Sequence, residues 1–174
     1  MSSMQNEAYS HCSYCGSPFP AGLSWPRECP ACGNISYRNP LPVCVVFVPI
    51  EDHGGLGVLA VRRAIPPHIG ALALPGGFIN YGETWQEGGA REVLEETGLI
   101  LKPAEIHEMR VRSANDGTLI IFAAAQTHSI SDLPVFNLNS ECSERVILTA
   151  PVPMAFSLHT EMVEWFFKNP SAFH

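Results

Sequence analysis

The chain has 174 residues, a formal net charge of −7, 46% hydrophobic and 16% charged residues. That is enough for one ordinary domain with a real core plus a small appendage, and it excludes a disordered chain. Only ten lysines and arginines, scattered among seventeen acids, exclude a broad electrostatic grip on nucleic acid unless a local basic patch forms. The opening segment, MSSMQNEAYSHC, has no basic stretch followed by an apolar run, so no secretory signal is expected. No stretch approaches the roughly 18–20 apolar residues of a membrane span. A cytoplasmic protein is the expectation.

Four of the six cysteines form CSYCG and CPACG: Cys12 and Cys15, then Cys29 and Cys32, with thirteen residues between the pairs. Each pair is followed by a glycine, Gly16 or Gly33, which permits the tight turn just beyond. Two matched C-x-x-C pairs suit one tetrahedral Zn²⁺ held by four thiolates; disulfides or a redox pair are the alternatives, and a reducing compartment favours zinc. His11 is read as a bystander. A ribbon over residues 1–38 is too short to build a core alone and needs such a staple. Its charges, Glu7, Arg27, Glu28 and Arg38, cancel, so a structural or interface role is expected before contact with nucleic acid.

A second domain over residues 39–174 follows the hinge Asn39–Pro42. VCVVFVPI reads as one buried strand, and GVLAVRR as its partner across the turn EDHGG. Cys44 is read as a small core residue. AIPPHIGALALPGGF reads as a loop with a short extended segment. EIHEMRVRS and GTLIIFAAAQ read as two strands around ANDG. SISDLPVFNLNSECSE reads as irregular, with Cys142 exposed. A last helix, Phe156–Lys168, carries Phe156, Met162, Val163 and Phe166 as a core or dimer stripe. Strands mixed with helices indicate an α/β domain.

The central helix has readable ends. Thr84 with Glu87 three residues on is a capping box, so the helix starts at Trp85, and Gly98 is a left-handed stop. Gly88 and Gly89 each cost about 1 kcal/mol relative to alanine, so they are expected to serve close packing, as against GGF in the preceding loop. Within REVLEETG, Glu92, Glu95 and Glu96 fall on one face, where like charges repel. A solvated surface is one explanation. A hard divalent cation such as Mg²⁺, which takes carboxylates together with substrate phosphates, is the other.

The stretch GGFINYGETWQEGGAREVLEETGL resembles the signature of the Nudix hydrolases, G-x5-E-x7-R-E-U-x-E-E-x-G-U with U aliphatic. Gly77, Glu83, Arg91, Glu92, Val93, Glu95, Glu96, Gly98 and Leu99 satisfy its nine positions over 23 residues. The ribbon ending in CGNISYRNP and the final MAFSLHTEMVEWFF are similar to the ribbon-bearing members, including NADH and ADP-ribose pyrophosphatases. The resemblance implies an α/β/α sandwich around a mixed sheet, hydrolysis of a nucleoside diphosphate linked to another moiety, and Mg²⁺ or Mn²⁺ as the catalytic ion. It implies Glu92, Glu95 and Glu96 as metal ligands, helped by the Gly77 carbonyl. Glu92 is also a candidate to activate water, Arg91 to orient the glutamates and Glu83 to support them. A general base outside the signature is also common in the family, and Glu141 and Glu144 are the candidates, each with a solvated loop glutamate as the alternative. A homodimer acting on a small nucleotide is also implied; charge and hydropathy leave no nucleic acid or membrane partner expected.

Substrate choice is less well marked. The SQPWPFPxS motif of the NADH enzymes is missing from RVRSANDGTLII. The proline many ADP-ribose enzymes place about sixteen residues past the signature is Asn115 here. The ribbon architecture still favours ADP-ribose, FAD or NADH-like substrates over a nucleoside triphosphate. A triphosphate-sanitising enzyme and a nucleotide-sensing module are the alternatives. Trp25, Tyr81, Trp85 and Phe122 are read as packing residues before base-stacking ones. No role is expected for His53, His68, His107, His128, His159 or His174.

Overall fold

The structure, a computed structural model, describes residues 8–52 and 54–169, so His53 and His174 lie outside it, as do the first seven residues of the opening segment. The described residues form two compact units that divide between Pro40 and Leu41.

The N-terminal unit is a two-stranded antiparallel ribbon, β1 (Arg27–Glu28) with β2 (Ile35–Ser36). Three of its rings cluster: Trp25 meets Tyr9 and Phe19 edge-on, with centroids 5.9 and 6.2 Å apart. The Arg27 guanidinium lies 4.4 Å over Trp25, and that of Arg38 lies 5.0 Å over Tyr9. Both of the unit's arginines thus spend their charge on its own rings.

In the second unit, β3 (Leu41–Phe47) pairs parallel with β9 (Thr118–Ala124) and antiparallel with β7 (Gly76–Phe78). With β8 (His107–Ser113) at the edge, this sheet has the order β7-β3-β9-β8. The other sheet has the order β10-β4-β5-β11, made from β4 (Pro49–Asp52), β5 (Gly55–Arg63), β10 (His128–Ser129) and β11 (Cys142–Leu148). The short β6 (Leu72–Ala73) pairs with β5. The run VCVVFVPI is therefore two strands. Pro49 has no N–H to continue a ladder, and the chain changes sheets there. Of these two strands, β4 pairs with β5 and β3 does not, which corrects the single hairpin expected from the sequence.

Period-two alternation in β3 explains its unbroken apolar run. Cys44 and Val46 face the helix α1 (Trp85–Thr97), in a core shared with Ala90 and Val93. Val45 and Phe47 face the helix α2 (Ser157–Lys168), in a core with Met162, Val163 and Phe166. Sheets thus lie between two helices, an α/β/α sandwich. Each fully buried aliphatic or aromatic side chain contributes about 1.5–3 kcal/mol over an exposed one. Met162, Val163 and Phe166 of the expected stripe are core, one of its two expected roles; Phe156 is half-buried and stands at the N-cap, outside the helix. No described helix is long and apolar enough to cross a membrane.

Candidate active site

The first link is the helix start. Thr84 Oγ1 accepts from the Glu87 amide at 3.2 Å while the Glu87 carboxylate accepts from the Thr84 amide at 2.7 Å, so the capping box is reciprocal. Gly98 ends α1 with φ 77° and donates to the Leu94 carbonyl. A Cβ on Gly89 would come within 2.7 Å of Cys44 Sγ and 2.9 Å of Val46 Cγ2. The helical glycines bring α1 down onto β3 and the Glu83–Ile79 loop. GGF packs against α1 as well, through its own glycine: a Cβ on Gly77 would lie 2.5 Å from the Glu92 carboxylate.

Arg91 gathers the acids. Its Nε and Nη2 donate to Glu83 at 3.1 and 2.7 Å, its Nη1 to Glu92 at 2.7 Å and Glu95 at 3.1 Å, and its Nη2 also to the Phe78 carbonyl at 2.9 Å. Five N–H groups meet five acceptor contacts, which a lysine cannot reproduce. Loop and helix are clamped together by one side chain. The Arg91 hydrogen bonds hold the Glu83 carboxyl below its ordinary range.

Glu96 differs from its neighbours. It is buried, and its Oε2 accepts from the Gly76 amide at 3.0 Å. The ion pairs of the cluster run from Arg91 to Glu83, Glu92 and Glu95, and not to Glu96. Burial pushes the Glu96 carboxyl up to about 8, against the Gly76 hydrogen bond, and the charges of Glu92 and Glu141 add to the rise. Burial also raises Glu92, with Arg91 opposing it. Two carboxylates that resist ionisation therefore stand side by side on α1, while Glu95 is exposed.

The two remaining acids separate. Glu144 lies on β11, opposite Arg62 of β5, and Arg62 Nε donates to it at 2.6 Å. Glu141 precedes the strand and acts electrostatically on both Glu92 and Glu96. A bulge between Cys142 and Glu144 inserts one extra residue, so Cys142 turns into the core while Glu144, two residues on, is exposed. Cys142 is thus not exposed, and it lies in a strand rather than in irregular chain; burial pushes its thiol up to about 12. Cys44 is core, as expected.

Residues not singled out from the sequence also shape the site. Arg145 Nη1 donates to the Thr97 carbonyl at 2.7 Å, and Asn139 Nδ2 to the Glu95 carbonyl at 2.8 Å. His159, given no role, is buried and takes the Leu74 amide on Nδ1 at 3.2 Å. Burial pushes its ring down to about 4. Asn139 had one local signal, an Asx turn over Asn-Ser-Glu; the others depend on contacts across the fold. Among the aromatics, Phe122 is core on the α2 side, while Trp85 is partly buried against the other core, that of Cys44, Val46, Ala90 and Val93. Tyr81 is fully exposed, so the packing role expected of it does not hold.

In the N-terminal unit the Cys12, Cys15, Cys29 and Cys32 sulfurs all lie within 4.8 Å of one another. Both knuckles fold alike: Gly16 N donates to Cys12 O and Gly33 N to Cys29 O, with φ of 73° and 72° at the two glycines. Backbone N–H groups of Cys15 and Tyr14 push the Cys12 thiol down to about 6, while burial pushes Cys29 up to about 11. His11 is outside the cluster; its Nδ1 is bonded to Ser10 Oγ.

Residues 40–145 match the model of the NUDIX domain. An NAD-capped RNA hydrolase NudC from Edwardsiella ictaluri is 31% identical over 97 residues, which is 55% of this chain and 36% of that protein. The chain thus matches about a third of the length of such curated relatives. The crystal structure of a NUDIX hydrolase from Nitrosomonas europaea superposes with a TM-score of 0.70 at 24% identity, covering 95% of this chain and 96% of that one. The NUDIX domain of Shewanella oneidensis NrtR, complexed with ADP ribose, has a TM-score of 0.64 at 20% identity, covering 77% and 90%. At these identities the structural likeness is one of fold.

Proposed function

The chain belongs to the NUDIX family, and from that premise we propose that it is a pyrophosphohydrolase cleaving the diphosphate bridge of a nucleoside diphosphate linked to a second moiety, such as ADP-ribose, FAD or an NADH-like dinucleotide. The observation that carries this reading is Glu96: a buried carboxylate beside Glu92, reached by an amide but by none of the cluster's ion pairs. A divalent cation would offset the burial and repulsion that hold its carboxyl up near 8.

The donor set fits such an ion, since carboxylate and carbonyl oxygens suit Mg²⁺ or Mn²⁺. Glu92, Glu95 and Glu96 would hold it, with the Gly77 carbonyl. When bound, it would neutralise phosphate charge and lower the pKa of a coordinated water. The protein's own part is positional. Arg91 fixes Glu92 and Glu95 against the loop and ties in Glu83. Glu141 takes the proton as the water oxygen bonds to one phosphorus; the bridging oxygen leaves with the other, and two monophosphates result. Glu144 is committed to Arg62, which is why Glu141 is preferred as the base.

The four-thiolate cluster is proposed to hold a structural Zn²⁺. The reading keeps the cytoplasmic location expected from the sequence and includes a homodimer on the resemblance alone. A panel of nucleotide diphosphate derivatives and triphosphates, incubated with Mg²⁺ or Mn²⁺ and read by mass, tests the activity. Two monophosphate halves are expected. Pyrophosphate or phosphate from a triphosphate would replace the reading with a sanitising enzyme, and binding of ADP-ribose without turnover would replace it with a sensor.

A further inference from the structure

The last carbonyls of a helix have no partner within it, and α1 carries no basic residue in its final turn. Its carbonyls are served from β11 and from the segment leading into it. Asn139 Nδ2 donates to Glu95 O at 2.8 Å, and Arg145 donates to Thr97 O at 2.7 Å and to Pro134 O at 2.6 Å. The other end of the same Asn139 amide faces the opposite way. Its Oδ1 accepts from the Glu141 amide at 2.9 Å and from the Cys142 amide at 2.8 Å. The orientation of the group is settled by chemistry, because its oxygen meets two N–H donors and its nitrogen meets a carbonyl.

Glu141 is fixed from its other side as well. Its carbonyl accepts from the Ala64 amide at 2.6 Å, just past the end of β5, and the next residue, Cys142, is buried against Val61 and Ala73. One exposed side chain therefore bridges the backbone of Glu95 and the backbone of Glu141, two residues that bear acids of the site. Exposed hydrogen bonds compete with water and add little to stability. What this one determines is distance and direction.

We infer that Asn139 is a positioning residue, which sets the Glu141 carboxylate against the glutamates of α1 by tying both backbones to a single amide. The inference rests on the activity proposed above, with Glu141 as the base. An amide is suited to the task because it donates at one end and accepts at the other. Aspartate keeps the two acceptor bonds and loses the bond to Glu95 O; alanine loses all three.

The test uses the full chain with Mn²⁺ and the best substrate of the panel. Asn139→Ala should lower kcat roughly 10- to 100-fold, the usual range for a residue that orients an active-site group, with KM little changed. Asn139→Asp should recover part of that loss. In a Glu141→Gln background, Asn139→Ala should add no more than about a twofold loss, since both act through one group. Wild-type kcat in Asn139→Ala, or the same loss in both backgrounds, would overturn the role. Amide exchange at Glu141 and Cys142, measured without nucleotide, judges the bridge separately: faster exchange in Asn139→Ala is expected, and unchanged protection overturns it. A wild-type protein with no turnover would sink the hydrolase reading alone.

Discussion

Gly77 and Glu92 approach so closely that no side chain fits between them: a Cβ at Gly77 would lie 2.5 Å from the Glu92 carboxylate carbon. The contact joins β7 to α1 beside the carboxylates that Arg91 binds. The obstructing atoms are the end of a flexible side chain, not backbone.

Gly77→Ala is therefore expected to push Glu92 out of its place beside Arg91 without unfolding the protein. Loss of kcat should be on the order of 10- to 100-fold, the scale seen when an orienting contact is removed. Thermal melting should shift by only a few degrees. Steady-state kinetics and a melting curve check the pair. A variant with unimpaired kcat would show that Glu92 need not stand where it does.

Glu95→Gln and Glu96→Gln should both lose most activity while folding normally, but their stabilities should part. The Glu96 carboxyl is raised from 4.5 to about 8 in the fold, so its contribution is favourable below about 4.5 and is lost as pH rises through about 8. Glu96→Gln removes that titration. With divalent ions chelated, it should melt above wild type at pH 8.5 and not at pH 4.5. Melting curves at the two pH values decide; no pH-dependent difference would mean Glu96 is not strained by burial.

His159 works in the opposite sense. Its ring is lowered from 6.5 to about 4, so the neutral form stabilises the fold above about 6.5, and this is lost as pH falls toward about 4. The shift corresponds to a loss on the order of 3 kcal/mol across that window. His159→Asn keeps an acceptor for the Leu74 amide and does not titrate. Urea unfolding at pH 7 and pH 5 should show a smaller fall for the variant than for wild type. Equal falls would remove His159 from the acid sensitivity.

Cys29→Ser breaks the thiolate set in the N-terminal unit. Bound zinc, measured by metal analysis of the purified protein, should fall from one per chain toward none, with loss of stability in that unit. Turnover should change only indirectly. Full zinc content in the variant would show that the ion does not need four sulfurs.

Much of this protein could be read from local pattern alone. Thr84, Glu87 and Gly98 mark the ends of α1 because capping involves neighbours in sequence. The Cys-x-x-Cys knuckles declare themselves for the same reason, and the fixed spacing from Gly77 to Leu99 identifies the family. Residues far apart are another matter. Whether Val43–Ile50 is one strand or two depended on which sheet each half joined. Glu141 and Glu144 stand three positions apart and look alike in sequence; only the fold pairs Glu144 with Arg62 and lets Glu141 act electrostatically on Glu92 and Glu96. The five-contact grip of Arg91, the burial of Glu96 and the amide of Asn139 across two backbones exist only after folding. Type and spacing place the acids along the chain; only packing decides which of them lose water, as Glu96 does and Glu95 does not.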